Sequence, residues 1–221
     1  MRPPRTPWMP ARRARRLLAL AVATAFAPVA SLLAQSPGDR RLEPAAARAV
    51  EALADSARAA ALPVEALQAK VAEGLLKGAP DARIVSAVRT LSHELRDAQR
   101  ALGAGASAGE LVAGATAIHA GVPLARLQQL RGAAPARAHG TLVLPIVVLV
   151  DLVTRRVPAE VATRSVETLL ARGASDAELQ ALRVTVEQDI LAGRAPADAA
   201  AARTRAIVER LGGRLDATRL P

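Results

Sequence analysis

The chain interrupts itself every dozen or so residues with one of two short marks, and this spacing leaves room for little except helices. The first mark is Gly-Ala followed by Ser or Pro. It occurs as "GAPDARI" from Gly78 to Ile84, "GASAGEL" from Gly105 to Leu111 and "GASDAEL" from Gly173 to Leu179. A glycine such as Gly173 takes the left-handed conformation that ends a helix at little steric cost. Ser175 can then cap the next helix, and Glu178 three residues on can reach back to complete a capping box. Ser107 and Glu110 repeat that pair after Gly105. In the earliest copy Pro80 replaces the serine, which suits a helix start, and Asp81 complements the helix dipole. The second mark is an apolar residue before proline: Leu62-Pro63, Val122-Pro123, Val157-Pro158 and Ala195-Pro196. Proline closes the preceding helix and opens the next.

Between the marks the apolar residues recur at helical spacing. Ile84, Val88, Leu91, Leu95, Ala98 and Leu102 lie four and three apart and form one stripe. The same steps join Val64, Leu67, Val71 and Leu75, then Leu179, Leu182, Val186 and Ile190, and Ala46, Val50, Leu53, Ala57 and Ala60. No alternating strand pattern competes, and alanine favours helix intrinsically. The expected fold is therefore all-α: an irregular helical repeat or bundle of about nine short helices joined as antiparallel hairpins. The helices are placed at 44–60, 64–77, 81–102, 108–120, 124–131, 143–155, 159–172, 176–192 and 197–211. Residues 44–131 form one expected half and 141–211 the other, with the loop 132–140 between them. Residues 35–43 and 212–221 are expected to be loose tails.

Residues 61–94 align with 156–189 at a constant offset of 95, with identities that include Pro63/Pro158, Glu65/Glu160, Gly78/Gly173 and Asp81/Asp176. Alanine richness does not produce matches of Pro, Gly and Asp, so an internal repeat is the expected reading; it fits no repeat of known period. The most apolar run is Leu142 to Val150. Its valines and isoleucine would suit a buried strand, but Pro145 opposes a central strand and is tolerated in a helix's first turn. A central helix, apolar all round, is expected there. Asp151 and the length of the run oppose a membrane span.

Residues 1–34 read as an export signal. Arg12 to Arg16 form a basic region, Leu17 to Ala27 an apolar one, Pro28 breaks the helix, and Ala34 before Gln35 is a suitable cleavage point. An uncleaved N-terminal anchor is the alternative, although the apolar run is shorter than the ~20 residues a span needs. Arg15-Arg16-Leu17-Leu18 also permits the twin-arginine route. The protein is thus expected to be exported, periplasmic or extracellular. The formal charge of +10 is largely a property of this segment, which carries six arginines and no acid; the remainder holds 24 basic against 20 acidic residues. With no cysteine, disulfides and a lipid-modified cysteine are both excluded.

The chemistry-bearing residues are sparse. The histidines His93, His119 and His139 form no i, i+4 pair, so no metal site is expected. His93 lies off the apolar stripe, and His119 suits a helix C-terminus. Ser92-His93-Glu94 holds triad residue types, but sequence neighbours on a helix point apart. Glu94 and Asp189 share a repeat position, read as a surface preference. Trp8 and Phe26 are the only aromatics. That weighs against base-stacking nucleic-acid platforms and against aromatic cages, and no cofactor is expected. Arg126, Arg131 and Arg137, in and just before the long loop, are the candidate anion contacts. The structural residues of the breaks are Gly78, Pro80, Gly105, Ser107, Glu110, Pro123, Pro158, Gly173, Ser175 and Glu178. The expected function is a non-catalytic interaction or scaffolding module of the cell envelope, its partner another envelope protein. The alternatives are an envelope protein holding an apolar or anionic ligand between helices, beside residues 142–150 and Arg137, and a hydrolase with a dispersed site.

Overall fold

Six of the breaks in the sequence become helix ends closed by the same pair of hydrogen bonds. The computed structural model describes residues 40–133 and 141–217. Residues 1–39, 134–140 and 218–221, which include the export segment and most of the long loop, lie outside the described residues. All regular structure among the described residues is helical, with no strand: α1 (Pro44–Ala59), α2 (Val64–Leu76), α3 (Asp81–Leu102), α4 (Ala108–His119), α5 (Leu124–Gly132), α6 (Val143–Thr154), α7 (Ala159–Ala171), α8 (Asp176–Leu191) and α9 (Pro196–Ala217).

The starts follow the marks. Pro63, Pro80, Pro123 and Pro158 occupy the cap positions of α2, α3, α5 and α7. Ser107 and Ser175 cap α4 and α8 in reciprocal boxes with Glu110 and Glu178. The ends are of the Schellman type. At six of them the amide three residues past the helix returns to a carbonyl five residues back: Leu62 to Ala57, Ala79 to Gly74, Val122 to Ala117, Val157 to Leu152, Ala174 to Leu169 and Arg194 to Asp189. Four of these ends place glycine at the left-handed position, Gly78, Gly121, Gly173 and Gly193; Ala61 (φ 53°) and Arg156 (φ 66°) occupy it in the other two. Leu62, Val122, Val157 and Ala174 then turn into the core, so ending a helix also anchors the chain.

Helix α3 ends at Leu102 as expected; its left-handed glycine is Gly103 (φ 87°), whose amide donates to the Gln99 carbonyl at 2.8 Å, and Gly105 lies in the connection to α4. Two expectations are corrected. Residues 40–43 are tied down, because the Asp81 carboxylate accepts the Glu43 amide at 2.8 Å and the Arg40 guanidinium at 2.7 Å. Helix α9 continues to Ala217, since Ile207, Leu211 and Leu215 keep the four-residue step through Gly212 and Gly213.

Odd-numbered helices follow one another in contact, α1 on α3, α3 on α5, α5 on α7 and α7 on α9; of the even-numbered ones α4 packs on α6 and α6 on α8. The core between them is aliphatic. One cluster gathers Ala57, Leu67, Ile84, Val88, Leu95 and Leu111. The other gathers Leu127, Ile146, Leu149, Leu169, Leu179 and Leu182, among others. Helix α4 serves both, with Leu111 and Ala115 in the first and Ala113 and Ala117 in the second. It does so by being thin. A Cβ on Gly114 would stand 2.9 Å from that of Ala98, so only glycine lets α3 and α4 approach this closely. The apolar run at 142–150 does form a helix, but not one buried all round: Ile146, Val148 and Leu149 are fully enclosed, whereas Val147 is 40% exposed.

Glu110 joins the start of α4 to the start of α6. Its carboxylate accepts the Ser107 amide at 2.7 Å, the Ser107 hydroxyl at 2.9 Å and the Leu142 amide at 2.8 Å, with Arg131 at 3.8 Å. Burial pushes its pKa up, but the Leu142 and Ser107 amides, the Ser107 hydroxyl and Arg131 outweigh burial and hold it below the usual value. A depressed folded pKa stabilises the fold above the ordinary carboxylate range and ceases to do so as pH falls through the folded value. Glu110→Gln is therefore expected to cost about 1–3 kcal/mol at neutral pH. The difference from wild type should shrink below pH ~4 in urea titrations. Ala61→Gly, by relieving a left-handed alanine, is expected to stabilise by about 0.5–1 kcal/mol in the same assay.

Candidate functional site

The outer edge of α4 carries Val112, Thr116 and His119, four and three residues apart and so on one face. A groove lies on each side of this edge. Toward the chain's start, α2 packs on α3 rather than closing on α4. Gly74 permits this lean, since a Cβ there would sit 2.7 Å from Ile84 Cγ1. The space left is a groove of about 500 Å³ with Ala66, Ala69, Ala87 and Leu91 among its apolar lining residues. Toward the chain's end, α4 and α6 frame a second groove of about 340 Å³, lined by Gly109, Val112, Thr116, Val143, Val147 and Val150. The two grooves share Val112 and Thr116, so they form one continuous ribbed surface.

The charges on this surface are paired within the protein. Glu73 accepts Lys70 Nζ at 2.7 Å and Lys77 Nζ at 2.5 Å. The two ammonium groups, Lys70 first, lower its pKa to about 2. Glu94 meets His119 Nδ1 at 2.8 Å across α3 and α4. In the wall of the second groove Asp151 pairs with Arg155 at 2.7 Å and Arg183 at 3.1 Å, and Arg155 reaches Glu187 at 2.8 Å. The hydrogen bond that Arg155 donates to Glu187 and the charge of Asp151 raise the Arg155 pKa against the opposing effect of burial. Such a surface offers aliphatic contact between fixed ion pairs. Among the described residues no group of three or more His, Asp or Glu is placed to hold a metal.

The residues singled out in the sequence are dispersed. Arg126 and Arg131 both stand on α5, yet Arg126 turns toward Gln129 and Glu160, and Arg131 toward Glu110. Arg137 and His139 lie outside the described residues. His93 is exposed. Glu94 and Asp189 are more than a surface preference, because each reaches the following helix: Glu94 to His119 on α4, and Asp189 to Arg203 on α9 at 2.8 Å, with Arg194 at 2.9 Å. The Arg203 hydrogen bond, then Arg194, holds Asp189 below the usual range despite burial. Sequence reasoning missed Val112 and Val147 and took Leu91 for core. The stripe Val112, Thr116, His119 was the available signal, since it lies off the face that Leu111 and Ala115 bury.

Carbon-detected NMR of the Glu73 carboxylate should show titration near pH 2, moving up toward the ordinary range when Lys70 and Lys77 are both replaced by methionine. No protein-family model, no curated protein and no solved structure matches the chain.

Proposed function

We propose that the chain is an exported, non-catalytic helical-repeat protein that binds another envelope protein through the ribbed surface of α2, α4 and α6. The observation that carries this reading is the pair of exposed valines, Val112 at 38% and Val147 at 40%, on adjacent helices between two confluent grooves. Small residues along the grooves let another backbone approach closely. An amphipathic helix laid into such a groove makes its affinity from spaced apolar anchors. Export rests on the basic and apolar regions of residues 12–27 and the small residues before Gln35. No helix among the described residues is long and apolar enough to cross a membrane.

The repeat supports an architecture of stacked antiparallel hairpins. Ala61 and Arg156 share both the left-handed conformation and the 95-residue offset, as do Gly78 and Gly173. Gly74 near the end of α2 lies against Ile84 near the start of α3, and Gly109 lies against Val143 at the starts of α4 and α6. Neighbours in the chain then run in opposite directions and alternate helices in the same one, an arrangement that builds extended binding faces.

The test is crosslinking and affinity capture from envelope extracts. Val112→Arg and Val147→Arg should each reduce the captured partner about tenfold without loss of helical circular dichroism, whereas Ala206→Arg, on the exposed side of α9, should not. Equal capture by all three variants would overturn the assignment of the surface.

A further inference from the structure

A third groove, of about 510 Å³, runs between α7 and α9. It uses none of the residues assigned to partner binding. Its apolar lining consists of Val161, Ala197, Ala201 and Val208. These side chains are small and aliphatic, so the groove suits small aliphatic groups and offers no ring to stack on.

Its polar groups have an ordered layout. Asp198 and Arg205 both line the groove and are seven residues apart on α9, which places them on one face. At 1.5 Å per residue their attachment points are separated by about 10 Å along the helix axis. Neither has an ion-pair partner among the described residues. Arg164, on the opposite wall, is engaged by Glu160 at 2.7 Å. Midway on the α7 wall stands Ser165, only 4% exposed. Its hydroxyl has no hydrogen-bond partner among the described residues. The neighbouring hydroxyls of Thr168 and Thr204 are both spent on their own helices, donating to Arg164 and Ala200 carbonyls. The sealed-off side-chain atoms left without a hydrogen bond among the described residues are Ser92 Oγ, Asp151 Oδ2 and Arg183 Nε, not Ser165 Oγ, so the Ser165 hydroxyl opens on the groove, where a ligand's polar group can take it up.

A negative end, a positive end and a central hydroxyl describe a ligand of opposite polarity with a polar group in its middle. An extended peptide spans ~3.3–3.6 Å per residue, so three residues cover about 10 Å. We infer that the α7–α9 groove binds a free tripeptide with small aliphatic side chains. Its ammonium meets Asp198, its carboxylate meets Arg205, and a central peptide group meets the Ser165 hydroxyl. No bond is made or broken; this is a binding site.

The probe is trialanine, titrated into the purified full chain with binding read by calorimetry and by NMR shifts. Saturable one-to-one binding in the millimolar range or tighter is expected. Amidating the peptide's C-terminus or acetylating its N-terminus should each weaken binding about tenfold. Arg205→Gln should weaken binding to the same extent and become insensitive to amidation, and Asp198→Asn should become insensitive to acetylation. Ser165→Ala should lose affinity while thermal stability holds or rises, which a merely structural hydroxyl would not do. Ala201→Leu should block the groove without unfolding α9. Absence of binding in the millimolar range, binding that both blocked peptides retain, or binding unchanged in Ala201→Leu would each overturn the inference.

Discussion

The structure depends on ending helices abruptly without leaving their last carbonyls unpaired. A core with no ring and no sulfur bridge among its described residues has only aliphatic surface to bury, and such surface stabilises in proportion to area. Long helices would leave much of it in water. The six return hydrogen bonds from Leu62, Ala79, Val122, Ala174, Val157 and Arg194 satisfy the carbonyls within two residues of each end. Four of the donating residues are themselves buried aliphatics. Ending a helix and packing the core are therefore the same event, and the short connections follow from it.

The second requirement is that helices so joined hold a register across the centre. Helix α4 meets it by contributing Ala113 and Ala117 to one core cluster and Ala115 to the other while Gly114 lets α3 come close, and Glu110 meets it at the start of that helix by accepting an amide from the segment opening α6. The carboxylate is kept charged by those donors, although burial alone would favour its neutral form. A single side chain thereby couples a local cap to a contact 32 residues away. The same carboxylate lies within 3.8 Å of Arg131, one of the arginines that its position near the long loop had suggested as an anion contact.

Helix number, order and most boundaries were legible because they are local properties: proline at cap positions, glycine in left-handed turns, and apolar steps of three and four. The end of α9 was placed too early because Gly212 and Gly213 read as a break, yet the helix continues through them to Ala217. The grooves were not legible. Leu91 keeps perfect step with Ile84, Val88 and Leu95, yet it stays half-buried at the edge of the core, where it lines the groove beside α2. Val112 and Val147 are ordinary apolar letters until the neighbours on either side are known. Ser165 gives no sequence signal at all, because its interest lies in a hydrogen bond that its surroundings do not supply.

The 95-residue offset carries α2 onto α7, and with it Ala66, Ala69, Lys70 and Glu73 onto Val161, Arg164, Ser165 and Thr168, which line the grooves of about 500 and 510 Å³ respectively. The two copies stand five places apart in the helix order, α2 and α7. Five is odd, so a position that starts among the even-numbered helices returns among the odd-numbered ones. Under the functions proposed above, an odd shift gives the two related hollows different neighbours: the copy on α7 takes a small solute and the copy on α2 a protein partner.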